Sequence, residues 1–141
     1  MATTRNATTH WEGSLMEGAG RVSLDSSGLG TYDVTWASRS ADPDGRTSPE
    51  ELIAAAHSAC FSMALSNMLA KGGHAPDALD TSAAVTFQPG EGITGIHLVV
   101  QGTVPGLTEK EFEDIAQDAK ANCPVSKALT GTTITLAATL V

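Results

Sequence analysis

Apolar and polar residues alternate along two segments in the first third of the chain, residues 20–28 (GRVSLDSSG) and 31–39 (TYDVTWASR). A period of two is typical of a strand with one buried face. The SSG run that ends the first segment is a turn signal. The pattern therefore predicts an antiparallel hairpin. Residues 40–48 break the alternation with Pro43 and Gly45, so a loop is expected there.

A long helix is predicted to start at Ser48. Ser48 suits the N-cap, Pro49 the first helical position, and Glu51 the partner position of a capping box. The pair Gly72-Gly73 supplies the stop. A helix of about 22 residues spans about 33 Å at 1.5 Å per residue. Because its interior is uncharged and apolar nearly all round, we expect burial on most of its sides.

The same segment is long enough to cross a bilayer, but its polar side chains count against that interpretation. They are His57, Ser58, Cys60, Ser62, Ser66 and Asn67. The first residues, MATTRNATTHWEG, contain no continuous apolar stretch of the kind found in secretory signals. We therefore expect a cytoplasmic protein that does not span the membrane.

Three further strands and two further helical segments follow the long helix. The strands are predicted at residues 79–89, 92–105 and 132–141. A second helix, 109–122, has Thr108 and Glu111 as its capping box and an acidic outer face, and a shorter helical segment covers residues 123–129. The order predicts one α+β domain over residues 1–141 with a mostly antiparallel sheet. A single domain cannot easily cover so long an apolar helix, so an obligate homodimer is expected.

Composition narrows the function. The net charge is −8 and the chain has only eight Lys and Arg residues, which argues against nucleic-acid binding. No Gly-rich dinucleotide fingerprint is present, so no bound nucleotide cofactor is expected. Two cysteines are too few for a disulfide scaffold. They are either inert thiols or redox-active ones.

Each cysteine has two interpretations. Cys60 lies in the middle of the long helix and is either a small core residue or a reactive thiol. In mid-helix it gains nothing from a helix N-terminus, so a thiolate there needs a cation from elsewhere. Cys123 precedes Pro124 at the start of a helix, where the dipole stabilises a thiolate, or it is simply a short cap residue. Local electrostatics alone favours Cys123 as the more acidic thiol.

His57 lies one helical turn before Cys60, so the two side chains can share one face. This allows a Cys–His dyad for acyl transfer, but an interior histidine with a hydrogen-bonding partner is the simpler interpretation. The other histidines, His10, His74 and His97, show none of the paired spacing of a zinc site. No metal is expected.

Glu50 is the remaining charged candidate. It precedes Cys60 by ten residues, which places it about 15 Å away along a straight helix. It cannot reach the Cys60 of its own helix, so a shared role would require the Glu50 of another subunit. Alternatively, Glu50 is only a first-turn acid that the helix dipole stabilises.

The segments TSPEELIAAAHSACFSMALS, from residue 47, and NCPVSKAL, from residue 122, resemble the OsmC/Ohr family of organic-hydroperoxide-reducing peroxidases. The resemblance extends over essentially the whole chain, from HWEG at residue 10 to the last strand. The motifs AAHSACF and HWEG are closest to the OsmC branch. The resemblance implies an intertwined homodimer, with mostly antiparallel sheets wrapped around two long central helices and two sites at the subunit interface.

The resemblance also implies roles for individual residues. Cys60 matches the peroxidatic cysteine and Cys123 the resolving cysteine, which reverses the order suggested by local electrostatics. Arg39, in TWASRS on the strand before the loop, matches the arginine that stabilises the thiolate and the peroxide, and Glu50 orients its guanidinium. Arg46 and Arg21 are the alternatives for the arginine.

The implied activity is thiol-dependent reduction of alkyl or lipid hydroperoxides in stress defence, with a lipoyl-type dithiol as external reductant and no cofactor. Residues around Cys60 either line an apolar approach or belong to the core: Trp36, Leu52, Ile53, Phe61, Met63 and Met68. A non-catalytic lipid binder or redox sensor on the same scaffold is the alternative, although a pure binder has no need of NCPVSKAL. A cysteine hydrolase would depend on His57 alone.

Overall fold

The computed structural model describes all residues, 1–141, and its contacts divide the chain into two compact units, Met1–Leu52 and Ile53–Val141. The strands are β1 (Thr8–Glu12), β2 (Ala19–Ser23), β3 (Thr31–Val34), β4 (Ala78–Gln88), β5 (Gly92–Thr103) and β6 (Thr133–Leu140). The helices are α1 (Trp36–Ser40), α2 (Pro49–Lys71), α3 (Glu109–Asn122) and α4 (Pro124–Ala128). Three of the four strand pairings are antiparallel, which confirms an α+β fold with mostly antiparallel sheets.

The first unit contains an antiparallel sheet in the order β1-β2-β3. The pairing of β2 with β3 confirms the predicted hairpin. Strand β1 was missed, because TTHWE shows no alternation of apolar and polar residues. All five residues of β1 are exposed, and Val22 is the only hydrophobic side chain of this unit in the buried core. The sheet therefore has little apolar cover within its own unit.

The predicted extension of the second hairpin strand to residue 39 is wrong, because β3 ends at Val34 and α1 begins at Trp36. The cause is a capping box: the Ser38 N–H donates to Thr35 Oγ1 at 3.0 Å, and the Thr35 N–H donates to Ser38 Oγ at 3.0 Å. These local bonds satisfy backbone N–H groups at the start of a helix. Alternation alone would have assigned the same residues to a strand. Arg39 consequently lies on a helical turn and not on a strand.

Helix α2 starts and stops where the sequence predicts. The Glu51 N–H donates to Ser48 Oγ at 3.2 Å, while the Glu51 carboxylate accepts a hydrogen bond from the Thr47 hydroxyl instead of closing a full capping box. At the other end Gly73 adopts φ of 86°, a left-handed conformation that glycine tolerates, and the His74 N–H donates to the Leu69 carbonyl at 2.9 Å. The helix has 23 residues.

The expectation that α2 is buried on most sides is wrong for the single chain. One face is completely buried through His57, Phe61, Leu65 and Leu69. The opposite face is open, and Met63 on it is 72% exposed. By length and composition alone α2 could cross a membrane, but the core helix of a soluble protein passes the same test.

The second unit is built on a sheet in the order β4-β5-β6, in which β4 pairs antiparallel and β6 parallel with β5. Its strands and the second helix are confirmed, including the Thr108 and Glu111 capping box of α3. Helix α4 follows with Cys123 at its N-cap and Pro124 at its first position, as predicted. The core of this unit consists of Phe61, Leu65, Leu69, Leu98, Val100, Val104, Phe112, Ala116, Ala119 and Cys123.

Candidate redox site around Cys60

The two cysteines meet although they are distant in sequence. Cys60 lies on α2 and is half-buried, and Cys123 is completely buried at the junction of α3 and α4. Both thiols are free, and the two side chains are close enough for Cys123 to raise the pKa of the Cys60 thiol. Two thiols this close together are placed for oxidation to a disulfide.

The backbone N–H of Val125, in the first turn of α4, donates a hydrogen bond to the Cys60 sulfur. Burial raises the pKa of the Cys60 thiol above its ordinary value, the Val125 N–H lowers it in part, and the Cys123 side chain adds to the rise. Within one chain the net effect is a higher pKa of the Cys60 thiol, so a stable thiolate requires an additional positive charge. The sequence placed Cys123 at the start of α4, where the helix dipole would favour its thiolate, but the Val125 N–H in that first turn acts on Cys60.

His57 is joined to the helix that follows Cys123. Its Nε2 atom and the Ser126 hydroxyl are 2.7 Å apart, and His57 is 0% and Ser126 4% exposed. This confirms the interpretation of His57 as an interior histidine with a hydrogen-bonding partner. The bond links α2 to α4 directly.

The other ring nitrogen of His57 is buried without a hydrogen-bond partner. Since Nε2 pairs with Ser126 and Nδ1 with no group, neither nitrogen bonds the Cys60 thiol, and the structure contains no Cys–His dyad. Burial lowers the pKa of His57, so the imidazole is uncharged at neutral pH. It therefore supplies no cation to Cys60.

Arg39 and Glu50 form a bidentate ion pair in the first unit. Arg39 Nε donates to both carboxylate oxygens, at 2.9 and 3.1 Å, and Nη2 donates to Oε2 at 2.8 Å. The Glu50 side chain is 8% exposed and that of Arg39 31% exposed. The planar guanidinium matches the carboxylate in both direction and charge, so its orientation is fixed.

The two alternative arginines are more exposed and have other partners. Arg21 pairs with Asp33 at 3.5 Å, and Arg46 pairs with Asp44 at 3.4 Å. Neither ion pair is forked and both are solvent-accessible, which makes them weak. Only Arg39 is held in a forked contact.

An apolar cleft of about 240 Å³ lies in the second unit, between the start of α2, strand β5 and the end of α4. Its lining residues are Ile53, Ile93, Ile96, Ala128, Leu129, Gly131 and Thr132. Of the side chains that the sequence suggested as lining, Ile53 lies in this cleft, whereas Phe61 is core and Met68 packs against the core. Ile53 precedes Cys60 by seven residues, which is two turns along the same face of α2 and about 10 Å.

Sequence reasoning missed Val125 and Ser126. A signal for Ser126 was present, because a serine three residues after Cys123 mirrors the histidine three residues before Cys60. Nothing in the sequence indicates that the Val125 amide points at a sulfur atom. No group of three or more His, Cys, Asp and Glu residues is arranged to hold a metal. His10 pairs with Glu12, and His97 with the Thr135 hydroxyl.

Comparison with known proteins gives a consistent result. The family model described as OsmC-like protein matches residues 42–137, more than half of the chain. Peroxiredoxin OsmC of Escherichia coli is 46% identical over 123 residues, which cover 85% of both chains, and the Shigella flexneri protein of that name matches equally. Organic hydroperoxide resistance protein-like 2 of Staphylococcus saprophyticus is 32% identical over 59% of this chain and 60% of its own.

Solved structures share the fold at low sequence identity. An OsmC-like protein from Mycoplasma pneumoniae superposes with a TM-score of 0.74 at 17% identity, covering 100% of this chain and 99% of its own. The organic hydroperoxide resistance protein OhrB of Bacillus subtilis gives 0.67 at 24% identity, covering 96% and 98%. These two structures support the arrangement of strands and helices described above.

Proposed function

The chain belongs to the OsmC-like protein family, and on that basis we propose that it is a cysteine-dependent peroxidase that reduces organic hydroperoxides to alcohols in stress defence. The observation that carries the proposal is the contact between the Cys60 and Cys123 thiols, with the Val125 N–H directed at Cys60. A peroxidatic and a resolving thiol must be this close for the oxidised intermediate to be captured.

In the first step the Cys60 thiolate attacks the distal oxygen of the hydroperoxide. The O–O bond breaks, the alkoxide takes up a proton and leaves as the alcohol, and Cys60 is oxidised by two electrons to sulfenic acid. Cys60 takes this role because it is the half-buried thiol, whereas Cys123 is completely buried. A peroxide can reach Cys60 first.

In the second step the Cys123 thiol attacks the Cys60 sulfenic acid. An S–S bond forms and water leaves, carrying the hydroxyl of the sulfenic acid and the Cys123 proton. An external dithiol then reduces the bridge by thiol–disulfide exchange and becomes a disulfide itself. We propose a lipoyl-type dithiol for this role.

The cation that Cys60 needs is assigned to Arg39. Its guanidinium cannot lose its proton, and the Glu50 carboxylate fixes its direction. Glu50 lies in the first turn of the helix that carries Cys60, and ten residues of helix separate the two by about 15 Å. We therefore propose that the Arg39–Glu50 pair acts on Cys60 of the partner subunit in a homodimer.

The open face of α2 supports the homodimer. This face has no charged residue between Glu51 and Lys71, and it presents Ala59, Met63 and Ala70 to solvent in the single chain. An uncharged helical face of this kind is typical of a surface that packs on another helix. A second copy of α2 would cover it.

The apolar cleft beside Ile53 fits the alkyl part of the substrate. Burial of an apolar tail stabilises the complex by about 25 cal/mol per Å², a contribution that hydrogen peroxide cannot make. Preference for organic hydroperoxides is the expected result. With its net charge of −8 and few basic residues, the protein is not expected to bind nucleic acid. We further propose that it acts in the cytoplasm.

Single substitutions of the two cysteines test the mechanism. Cys60→Ser is expected to abolish consumption of cumene hydroperoxide, because no sulfenic acid can form. Cys123→Ser is expected to complete one turnover and to leave a sulfenic acid that dimedone traps, since no resolving thiol remains. Turnover of the unaltered protein with dihydrolipoamide should exceed that with thioredoxin.

Full activity of Cys60→Ser would show that the mechanism is wrong. An unaltered protein that consumes no hydroperoxide but retains a fatty acid on purification would instead support the lipid-binding alternative. Hydrolysis of an activated ester, measured in parallel, would point to the hydrolase.

A further inference from the structure

The His57–Ser126 hydrogen bond has no part in the peroxidase chemistry proposed above. Each of its two residues is nevertheless three residues from one of the two cysteines. His57 lies three residues before Cys60 on α2, and Ser126 lies three residues after Cys123 on α4. Three residues are close to one helical turn, so each partner is stacked on the same side of its helix as the neighbouring cysteine. The bond therefore runs alongside the contact between the two thiols.

Both partners are out of solvent, at 0% and 4% exposure, and their separation of 2.7 Å is short for a neutral pair. The imidazole also keeps Nδ1 buried without a partner. An apolar ring of similar size would avoid burying that unpaired nitrogen. A histidine at this place is therefore poorly explained by packing alone, and its one observed bond is directed to α4.

Helix α4 has only five residues, so it is weakly held by its own backbone bonds. It nevertheless provides two groups on which the proposed reaction of Cys60 depends. These are the Val125 N–H that donates to Cys60 and, at its N-cap, Cys123 itself. Ser126 is the next residue after Val125, so a bond to Ser126 fixes the turn that carries both groups.

We propose that His57 and Ser126 are a positioning pair: their buried hydrogen bond holds α4 against α2, so that the Val125 amide and the Cys123 thiol face Cys60. The inference rests on the peroxidase function proposed above, since it concerns how the peroxidatic and resolving thiols of that reaction are aligned. Neither residue touches the peroxide. They act through α4.

Loss of the bond has two separate consequences. A displaced Val125 amide no longer stabilises the Cys60 thiolate, so the thiol pKa rises and peroxide attack at neutral pH slows. A displaced Cys123 captures the sulfenic acid more slowly, so the intermediate persists. A substitution that merely loosens the core lowers the melting temperature but has no reason to alter both quantities together.

The test uses the full-length protein and three variants. Ser126→Ala and His57→Phe each remove the bond, the second while keeping a ring of similar volume. His57→Gln keeps an amide near the position of Nε2 and should rescue part of the effect. For Ser126→Ala and His57→Phe we expect the sulfenic acid formed by one equivalent of cumene hydroperoxide to persist about tenfold longer. This factor corresponds to the free energy of one lost hydrogen bond. Stopped-flow measurement of dimedone-trappable sulfenic acid gives its lifetime, and thiolate absorbance against pH gives the Cys60 pKa.

Ser62→Ala is the matched control. Ser62 lies on α2 beyond Cys60, and its hydroxyl bonds the Ser58 carbonyl and the Thr81 hydroxyl, without reaching α4. This variant should resolve its sulfenic acid at the unaltered rate. If Ser126→Ala folds and resolves at that same rate with an unchanged thiol pKa, the positioning role is wrong. If the unaltered protein forms neither sulfenic acid nor disulfide, the proposed function itself fails, which is a distinguishable result.

Should His57→Phe not fold, Ser126→Ala decides the question, because it deletes only one oxygen atom. A double variant His57→Phe/Ser126→Ala adds a thermodynamic cycle. If the increase in sulfenic acid lifetime in the double variant equals the product of the two single increases, the two residues act independently, which would contradict a shared bond. A double variant no slower than either single one would support it.

Discussion

Glu50 is a buried carboxylate whose charge is balanced by one group. Its side chain is 8% exposed and accepts three hydrogen bonds from the Arg39 guanidinium. Removing one partner of such a pair leaves an uncompensated buried charge, which costs about 3–5 kcal/mol. The same forked geometry that makes the pair stable also gives the guanidinium a fixed direction, as the role proposed for it at Cys60 requires.

Arg39→Ala is therefore expected to slow the reaction of Cys60 as well as to lower stability. If Arg39 is the cation proposed for Cys60, its loss raises the pKa of the Cys60 thiol. The rate of alkylation by iodoacetamide at neutral pH should then fall about tenfold for each unit by which that pKa rises. The measurement is the alkylation rate as a function of pH. Arg46→Ala and Arg21→Ala are the matched controls, since both remove an exposed arginine.

An unchanged curve for Arg39→Ala would reassign the cation to whichever of the other two arginines changes it. Glu50→Gln distinguishes the orientation of the Arg39 guanidinium from its positive charge. It keeps the size of the side chain and leaves Arg39 in place, so an intermediate rate is expected.

At the scale of elements, β5 and α3 pack through a glycine. A Cβ at Gly102 would lie 2.5 Å from Cζ and 2.6 Å from Cε1 of Phe112, whose ring is completely buried. The ring belongs to the core of the second unit, so moving it would disturb the side chains packed around it. Close approach of α3 to the sheet, and with it the position of Cys123 at the end of α3, depends on this missing side chain.

Gly102→Ala is expected to destabilise the protein by about 1–3 kcal/mol through overpacking. Urea unfolding measures the free energy. Gly131→Ala is the control, because a Cβ there meets no heavy atom within 4 Å. Equal stability of the two variants would contradict the packing argument.

The start of α3 is expected to respond to acid. Hydrogen bonds from the Thr108 N–H and hydroxyl lower the pKa of the Glu111 carboxyl below its ordinary value. The unfolded chain therefore binds a proton more readily than the folded one, so the stabilisation is fully present above the unfolded pKa. It is lost as the pH falls through the lower, folded pKa.

Glu111→Gln should accordingly be less stable than the unaltered protein at neutral pH, and the difference should vanish on acidification. Urea unfolding over a series of pH values measures this. Glu113→Gln, an exposed substitution on the same helix, controls for the loss of one negative charge. A pH-independent difference for Glu111→Gln would show that the carboxylate does not stabilise the cap.

At the scale of the whole molecule, two features support the proposed homodimer. In the first unit β1 is entirely exposed, and Val22 is the only hydrophobic side chain of that unit in the core. In the second unit the open face of α2 exposes Met63 without a neighbouring charge. Three strands need an apolar face packed on something to be stable. A second copy of the chain would supply the missing surfaces.

Met63→Glu is expected to break the proposed homodimer, because a dimer that packs α2 on α2 would bury the new carboxylate without a partner. Light scattering at micromolar concentration should change from twice the chain mass to the chain mass. Leu29→Glu is the control: Leu29 is similarly exposed, at 76%, but lies in the turn between β2 and β3. A monomeric unaltered protein would remove the homodimer hypothesis altogether.

The sequence by itself determined those features that depend on neighbouring residues. The caps at Ser48 and Thr108, the stop at Gly73 and the N-cap position of Cys123 are local signals, and the structure has each of them. Alternation also predicted β2 and the strands of the second sheet. It failed at residues 36–39, where the hydrogen bonds of a capping box outweighed the periodicity.

Only the tertiary structure decided which distant groups meet. Spacing along the chain does not reveal that the amide of Val125 reaches Cys60, or that Ser126 is the partner of His57, because both contacts depend on how α4 packs against α2. The same packing carries the amide at the start of α4 to Cys60, although burial still raises the pKa of the Cys60 thiol within one chain. The sequence correctly placed a helix N-terminus next to Cys123, but hydrogen bonds act through space, and the first turn of that helix donates to the other cysteine.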